Sequence, residues 1–476
     1  MNTISFNNIS AKLTGPRLEE IYSKLTLSAP GAIYTPQYKL WKKTGGRLGW
    51  DGLVSLLSKN GEFLTGLIPQ VVELLDNDVE LQDNRPAINV SINDSVSVNL
   101  LGYQRQAIDD AISNTYGGVW WPRGVLQLAT GGGKTECSIA MCQLISVPTM
   151  FIVHRTNLLY QAQERFKKYG IISGVIGNGV FNLAPLGINV ATIATINAIL
   201  KNKDDKRYAP LMDAVDKTQQ VFFDEAHLIA SKLNTGNLFT RVSSLFKNAP
   251  FRWGLTATPF MKDGYSDLLL MGCTGSVLSM VKSSYLVEQG YLAKPTVKIY
   301  NISSPMGIPK KWRACYDDGI VHNSFRNEKI IELLTGLPKP AMVLTCFVEH
   351  AKKLLTLAEK AGLRVMLATH QTSPEERADM LKSLVSGEYD ALIVSTIFDE
   401  GIDCIEIASI VMAGGMKSKI KTIQRVGRGM RLAPGKTELT VIDFYDTTAR
   451  HLLKHSKARI ETYENEGFNI EYEKIN

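Results

Sequence analysis

A glycine-rich loop after a short apolar stretch is the first place where the residue types indicate chemistry. The stretch GVLQLA leads into a loop and a helix beginning ECSIAMCQLI, and the loop residues are Thr130, Gly131, Gly132, Gly133, Lys134 and Thr135. Glycines let backbone N–H groups turn toward phosphate oxygens, and the lysine and the threonine can reach the β- and γ-phosphates and Mg²⁺. The strict phosphate-loop pattern has glycine where this chain has Leu128. A glycine-rich turn followed by a chance Lys-Thr is therefore the alternative to a phosphate site.

An acidic pair at the end of a second apolar stretch is the next candidate. In VFFDEAH, three apolar or aromatic residues lead to Asp224 and Glu225, and His227 follows. A carboxylate at a strand end can hold Mg²⁺, and its neighbour can orient or deprotonate an attacking water. We assign these roles to Asp224 and Glu225 respectively. A solvated acidic loop is the alternative, and His227 is expected to couple the nucleotide to neighbouring groups.

Composition limits the class of protein to which these residues belong. The chain has 476 residues, 45% hydrophobic and 21% charged, which argues against wholesale disorder. No apolar run approaches the roughly 18 residues of a membrane-spanning helix, and the first residues do not resemble a secretory signal. The six cysteines contain no CxxC pair and are expected to be reduced thiols in a cytoplasmic protein. A net charge of +7 permits a polyanionic partner.

The order of apolar stretches predicts three domains. Two helices, in residues 16–27 and 69–75, belong to a small α+β domain, and the polar residues 76–87 are expected to form a linker. Two successive series of apolar strands alternating with helices then predict two α/β domains with parallel sheets. We place the domains at residues 1–97, 98–293 and 294–476. Ligands of such folds lie at the carboxyl ends of the strands, where both candidate motifs occur.

Seven motifs in order make the chain resemble the superfamily 2 helicases and translocases. ATGGGKT resembles motif I, VHRTNLLYQ motif Ia, VATIATINAI motif Ic, DEAH motif II, LTATP motif III, STIFDEGIDC motif V and QRVGRGMR motif VI. The resemblance implies two tandem RecA-like motor domains and hydrolysis of ATP with Mg²⁺.

The resemblance also implies roles for individual residues in nucleotide binding. Gln104, with Tyr103 beside it, would bind adenine, although Leu101 stands where the family often has an arginine. Gly401 and Asp403 would lie at the nucleotide. Motif VI contributes Gln424, Arg428 and Arg431 to catalysis, and both arginines would reach the γ-phosphate. Because these arginines are three residues apart, we expect them to share one face of a helix.

Three further residues would contact nucleic-acid phosphates by the same resemblance: Arg155, Thr195 and Thr396. In the first domain, TGGRLGWDGLVSLLSKNGEFLTGLIPQV resembles the small N-terminal domain of phage UvsW-type branch-migration helicases. Lys42, Lys43 and Arg47 lie there among aromatic residues, a combination that suits phosphates and exposed bases. A solvated basic loop beside a buried Trp50 is the alternative.

These observations together predict an ATP-dependent DNA helicase or translocase. We expect it to unwind or branch-migrate forked and junction DNA in recombination, repair or replication. It is expected to be a monomer in the cytoplasm, or in the host cytoplasm if the chain is phage-encoded. Replication or recombination proteins are expected as further partners. An RNA helicase, or a duplex translocase that separates no strands, is the second interpretation. A DNA-binding module that hydrolyses nothing is the third.

Overall fold

A computed structural model describes residues 1–230, 233–258, 264–303, 311–395 and 405–473. Two compact units divide the chain. The first consists of residues 1–128 and 133–280, and the second consists of residues 129–132 and 281–476. The domain borders predicted at residues 97 and 293 stay predictions.

The N-terminal part of the first unit has its own small sheet, with strands in the order β5-β2-β1-β6. Its elements are β1 (Asn2–Phe6), β2 (Ser10–Thr14), α1 (Leu18–Lys24), β3 (Thr26–Ser28), α2 (Pro36–Lys43), β4 (Leu53–Ser55), β5 (Glu62–Leu64), α3 (Ile68–Leu74) and β6 (Val79–Asp83). Side chains of β1 alternate between buried and half-buried, and Ile4 and Phe6 enter a core that also contains Ile21, Val71 and Trp121.

The predicted linker at residues 76–87 is wrong in its first half. Residues 79–83 form β6, which pairs in parallel with β1. Because β6 lies at the edge of the sheet and is largely exposed, its sequence VELQD is polar and hides the strand. The irregular stretch begins at Asn84 and runs along α5 (Lys134–Ile145), where Asn93 N–H donates to the Leu144 carbonyl at 2.8 Å.

The remainder of the first unit is built on an eight-stranded sheet in the order β12-β11-β13-β10-β14-β15-β9-β16. The neighbours from β11 to β9 pair in parallel, and β12 is antiparallel to β11. Besides α5, the elements are α4 (Gly102–Ile112), β7 (Thr115–Tyr116), β8 (Val119–Trp120), β9 (Arg123–Leu128), β10 (Thr149–Val153), α6 (Thr156–Lys168), β11 (Gly174–Gly177), β12 (Val180–Asn182), β13 (Ile188–Thr192), α7 (Ile193–Lys201), α8 (Tyr208–Lys217), β14 (Gln220–Asp224), α9 (Leu233–Ser243), β15 (Phe251–Thr256), α10 (Gly264–Cys273) and β16 (Val277–Val281).

The second unit contains a seven-stranded sheet in the order β19-β20-β18-β21-β22-β17-β23, in which every pairing is parallel. Its elements are α11 (Ser283–Glu288), β17 (Lys294–Ile302), α12 (Trp312–Tyr316), α13 (Ser324–Gly336), β18 (Ala341–Leu344), α14 (Val348–Lys360), β19 (Val365–Ala368), α15 (Pro374–Val385), β20 (Ala391–Val394), β21 (Ser409–Val411), α16 (Lys419–Gly429), β22 (Glu438–Asp446), α17 (Arg450–Asn465) and β23 (Asn469–Glu473).

The predicted α/β class, with two parallel-sheet domains after a small α+β domain, is confirmed by these three main sheets. Both predicted series of apolar strands are present: β9, β10, β13, β14 and β15 in the first unit, and β18 to β22 in the second. Continuous apolar strands are expected where helices cover both faces of a sheet. Among the described residues, no helix combines the length and the apolar character needed to cross a membrane.

Candidate active site

The glycine-rich loop lies between β9 and α5, as the sequence predicted. Gly131 and Gly133 have φ values of 85° and 78°, which side chains with a Cβ rarely adopt. The loop opens from the buried Leu128, which ends β9, and α5 begins at Lys134. The Lys134 ammonium donates to the Leu128 carbonyl across 3.4 Å. The loop, the lysine and the start of a twelve-residue helix therefore have the arrangement that phosphate binding requires.

Gln104 lies directly against this loop. A Cβ placed on Gly133 would come within 2.1 Å of Gln104 Nε2, so glycine is needed here for close approach as well as for its φ. The Gln104 amide oxygen accepts from the Leu101 N–H at 2.9 Å, and its Nε2 lies 3.4 Å from the Tyr103 hydroxyl. The structure thus places Tyr103 and Gln104 beside the glycine-rich loop, and their contact with adenine stays a prediction.

Asp224 and Glu225 stand at the carboxyl end of β14, on the same sheet as the loop. Burial and the adjacent Glu225 carboxylate raise the pKa of Asp224. Burial alone would also raise the pKa of Glu225, but the His227 side chain and the Lys134 charge lower it to about 2. Lys134 therefore acts on both carboxylates, which links the two candidate motifs electrostatically.

Two histidines flank Glu225, and only one of them was singled out from the sequence. His227 Nδ1 lies 3.3 Å from a Glu225 oxygen and 3.0 Å from the Thr256 hydroxyl at the end of β15. His154 follows β10, the strand that pairs with β14, and the Glu225 charge acts on the pKa of His154. Burial lowers the pKa of His154 to about 4, so its ring is neutral at pH 7. A histidine directly after a buried strand was the signal that could have identified it.

The donor set of this edge fits a nucleoside triphosphate with a divalent cation. A half-buried Asp224 with a raised pKa is a carboxylate whose charge the protein compensates only in part. Carboxylate and hydroxyl oxygens are the ligands that Mg²⁺ prefers, and Thr135 lies at the first turn of α5. Among the described residues, no three His, Cys, Asp or Glu side chains gather into a metal-binding group. Mg²⁺ bound with substrate phosphates usually takes only one or two protein carboxylates.

The motif VI residues lie around α16 in the second unit. Gln424 and Arg428 are half-buried on the helix, whereas Arg431 lies beyond its end. The prediction that both arginines share a helical face is wrong, because α16 ends at Gly429 and Arg431 forms a bridge with Leu292. Gly427 of this helix approaches Thr130: a Cβ on the glycine would lie 2.6 Å from the threonine Cβ.

The remaining predicted residues lie in separate places. Thr396, Gly401 and Asp403 fall outside the described residues. Arg155 and Thr195 follow the carboxyl ends of β10 and β13. The last residues of these two strands, Val153 and Thr192, are paired, so Arg155 and Thr195 lie on the same side of the first unit's large sheet, where its parallel strands end.

Lys42, Lys43 and Arg47 are exposed on and after α2, in the N-terminal part of the first unit. The alternative of a buried Trp50 beside them is only partly right, because Trp50 is half-buried and its indole N–H donates to the Leu53 carbonyl at 2.8 Å. None of the eight residues of α2 is buried.

Comparisons with known families match both motor regions. Residues 97–261 match the family described as "Type III restriction enzyme, res subunit", and residues 326–433 match "Helicase conserved C-terminal domain". Together the two matches cover more than half of the 476 residues. They include the glycine-rich loop, the acidic pair and all of motif VI, from Gln424 to Arg431.

Related proteins are similar over different shares of the chain. A candidate helicase of Sulfolobus islandicus filamentous virus is 27% identical over 348 residues, which are 67% of this chain and 60% of that protein. The ATP-dependent DNA helicase uvsW of Enterobacteria phage T4 is 23% identical over 529 aligned positions, covering 99% of this chain and 98% of uvsW. The chain thus spans less than two thirds of the first relative and nearly all of the second.

A solved structure supports the motor fold. The ATP-dependent Type ISP restriction-modification enzyme LlaBIII bound to DNA aligns with 79% of this chain and 31% of its own, with a TM-score of 0.58 and 14% identity. At this identity the likeness concerns the fold alone. The two family matches, the order of the motifs and the paired parallel sheets agree, and the chain belongs to the superfamily 2 helicases.

Proposed function

We propose that this protein is an ATP-dependent DNA helicase that remodels branched or forked DNA. The observation that carries the proposal is the electrostatic interaction of Lys134 with Asp224 and Glu225. These residues lie at the carboxyl ends of β9 and β14, and only β15 lies between those two strands in the sheet. A phosphate loop facing a carboxylate pair is the arrangement that phosphoryl transfer to water requires. The motor-wide family matches support hydrolysis as the source of work.

We assign a role in hydrolysis to each residue at the carboxyl ends of β9 and β14. The backbone N–H groups of the loop and the Lys134 ammonium bind the phosphates, and Thr135 and Asp224 would hold Mg²⁺. When bound there, the cation would supply charge neutralisation at the phosphates. Glu225, which the His227 contact keeps ionised, orients the attacking water and accepts its proton.

Four further residues complete the nucleotide site in this proposal. Gln104 and Tyr103 bind adenine, and Arg428 and Arg431 stabilise the transferred phosphoryl group. Guanidinium groups suit this role because they are planar and permanently charged.

DNA is the proposed substrate because of the similarity to uvsW, which covers nearly the whole length of both chains. The name of uvsW specifies a DNA helicase, and the similarity extends through the N-terminal part as well as the motor. Arg155 and Thr195, after the carboxyl ends of β10 and β13, would contact DNA phosphates, and such contacts fix position without reading sequence. The exposed cations of α2 would hold duplex or junction DNA.

The decisive experiment compares ATP hydrolysis and strand separation on a panel of substrates. Forked DNA, four-way junctions, flush duplexes and RNA of matched length are each tested as stimulators of hydrolysis and as substrates of unwinding. We expect forks and junctions to stimulate most and to be unwound or branch-migrated. Stronger stimulation by RNA would favour an RNA helicase, and stimulation by DNA without strand separation would favour a duplex translocase. A Lys134→Ala variant that binds DNA and hydrolyses no ATP is the control.

A further inference from the structure

A band of aromatic rings on the second unit has no part in the nucleotide site. It consists of Trp312, Tyr316, Phe347, His451 and His455, called here the ring cluster. The Trp312 ring centroid lies 4.6 Å from that of His455, 6.2 Å from that of His451 and 5.5 Å from that of Tyr316. Tyr316 in turn meets the Phe347 ring at 5.2 Å. The rings therefore form one continuous chain of aromatic contacts.

The ring cluster stands at the carboxyl ends of three parallel strands. α12 is the first described helix after β17, Phe347 follows β18 at the N-terminus of α14, and α17 follows β22. Ligands of parallel α/β sheets bind at this end. Its position therefore suits a binding site, although none of its residues belongs to the motifs that identified the motor.

Part of the ring cluster is accessible and part is core. Tyr316 is 1% exposed and packs in a small core with Ile320 and Leu452, whereas Trp312 is 36% exposed and His451 is exposed. Tyr316 is further fixed by donating to the Gly414 carbonyl at 2.5 Å. A tryptophan that rests on a fixed aromatic base and presents about a third of its surface to solvent offers a ready stacking partner for a planar group.

Cationic side chains of α17 lie beside these rings, while Asp317 and Glu349 lie near Arg313. The α17 helix carries exposed Arg450 and Lys454 on either side of His451, and no acidic residue follows Arg450 until Glu461. The Arg313 guanidinium lies 4.2 Å from the Phe347 ring centroid, although its Nε is also bonded to Asp317 at 2.8 Å. Aromatic surface bordered by cations is the combination by which proteins bind single-stranded nucleic acids.

The histidines contribute as rings. Burial, with the charges of Arg459 and Lys417, lowers the pKa of His455 to about 4, so it is neutral at pH 7. Its imidazole lies with its centroid 4.6 Å from that of the indole and its plane tilted by 50°, so it packs against Trp312 and adds aromatic surface without requiring a counter-ion.

We propose that the ring cluster binds single-stranded DNA, with an unpaired base stacked on Trp312 and the adjacent phosphates held by Arg450 and Lys454. This inference rests on the proposed helicase function and gives the second unit a contact that the motifs do not supply. Stacking is tolerant of sequence, since every base has a flat face. A motor that advances along any DNA can use such a contact at each position.

The test uses the full chain and a short thymidine oligonucleotide, with and without one 5-iodouracil for photo-crosslinking. Stacking of one base is worth enough that Trp312→Ala should weaken binding by about fivefold or more. Trp312→Phe should keep most of the affinity because it keeps a flat ring. Tyr472→Ala, which removes a 66% exposed aromatic side chain on β23 of the same unit, should bind as wild type. Crosslinks mapped by mass spectrometry on the wild-type protein should fall on Trp312 or its neighbours.

Two results separate failure of this inference from failure of the proposed function. If DNA binds the wild-type protein and stimulates its ATP hydrolysis, but Trp312→Ala retains full affinity or the crosslinks map elsewhere, the ring cluster only covers the core beneath it. If the wild-type protein neither binds DNA nor responds to it, the helicase proposal is wrong and this inference falls with it. Hydrolysis without DNA should be equal in all four proteins, which checks that each variant is folded.

Discussion

Glu225 has a left-handed backbone conformation, with a φ of 50°. Such a conformation costs a residue with a side chain on the order of 1–3 kcal/mol and persists only where the surroundings enforce it. Here the residue lies between the strand residue Asp224 and the short helical turn that begins at Ala226. The Glu225 carboxylate lies 3.3 Å from His227 Nδ1, and strain of this kind is concentrated at functional sites, which favours a role for Glu225 in chemistry.

Replacing Glu225 with glutamine tests that role. The amide keeps the size of the side chain but loses the basic oxygen, so we expect ATP and DNA still to bind while hydrolysis falls by about a hundredfold or more. Binding is measured with a fluorescent ATP analogue and turnover by phosphate release. If Glu225→Gln loses ATP affinity as severely as it loses hydrolysis, the residue is a structural group or a cation ligand, and the assigned role is wrong.

Arg428 and Arg431 support a second prediction at this scale. An arginine that stabilises the transferred phosphoryl group is typically worth about 10³ to 10⁵ in rate, whereas a surface ion pair contributes about 0 to 1 kcal/mol. We therefore expect Arg428→Ala or Arg431→Ala to lower the ATPase rate by at least about a hundredfold while DNA binding without nucleotide survives. Arg364→Ala, which breaks an exposed pair with Asp390, is the control. Losses below about fivefold in both motif VI variants would assign these arginines to structure.

Residue types and spacing predicted the glycine-rich loop and the acidic pair, because each follows an apolar strand. Gln104 was assigned through the resemblance to the helicase family, and two further features were missed for identifiable reasons. The position of Arg431 could not be predicted, because helix periodicity does not reveal that α16 ends at Gly429. His154 was overlooked because its electrostatic interaction with Glu225 depends on the pairing of β10 with β14, which are distant in sequence.

At the scale of elements, α2 is unusual because it packs no side chain into the core. Thr35 caps it by accepting from the Tyr38 N–H at 3.2 Å, Tyr38 stacks on Trp41 at 5.9 Å, and Lys42 and Lys43 extend into solvent. Isolated helices of this length are marginal in water. A capped, solvent-facing helix that carries cations and aromatic rings gains little stability from the core, and the proposed binding of DNA would explain why it is present.

Removing the charges of Lys42, Lys43 and Arg47 together tests this surface. Each lost phosphate contact changes the slope of log affinity against log salt by about 0.9, so three contacts flatten it by up to about 3. We expect the triple alanine variant to bind four-way junctions more weakly and with a shallower salt dependence. The matched control removes three exposed lysines of the same part of the chain, Lys12, Lys24 and Lys59. Equal effects of the two variants would mean that only overall charge matters.

Elements differed in how far the sequence revealed them. Central strands such as β14 were predicted because both of their faces are buried and their residues are continuously apolar. Edge strands were not: β6 and β23 are polar sequences with exposed side chains, and only their parallel partners, β1 and β17, make them strands. Whether such an edge segment forms a strand depends on its pairing with a segment distant in sequence, and its own residue types do not indicate that pairing.

At the scale of the molecule, the small N-terminal sheet is joined to the large sheet of the first unit through backbone contacts as well as side chains. Arg123, 2% exposed, donates to the Thr274 carbonyl at 2.6 Å and to the Asn8 carbonyl at 3.0 Å. The Asn8 amide donates to the Lys247 carbonyl at 3.0 Å, and Gln70 Nε2 to the Ser276 hydroxyl at 3.2 Å. Buried polar groups satisfied in this way fix the orientation of two surfaces. DNA held by α2 would therefore move with the first motor sheet.

Gly66 is the closest point of this junction and gives the last prediction. A Cβ on Gly66 would lie 2.0 Å from the Met271 carbonyl oxygen and 2.7 Å from that of Gly272, so the two backbones must separate to admit even a methyl group. Overpacking of this kind costs about 1–3 kcal/mol. We expect Gly66→Ala to lower the thermal unfolding temperature by several degrees and to speed proteolysis within the irregular residues 84–97. ATP hydrolysis without DNA should be unaffected, because no nucleotide-site residue is involved, while stimulation by junction DNA should fall.

Gly336→Ala, at a glycine with open space around it, is the matched control. Wild-type stability and proteolysis in Gly66→Ala would show that the N-terminal part is attached loosely, and DNA bound there would then move independently of the motor.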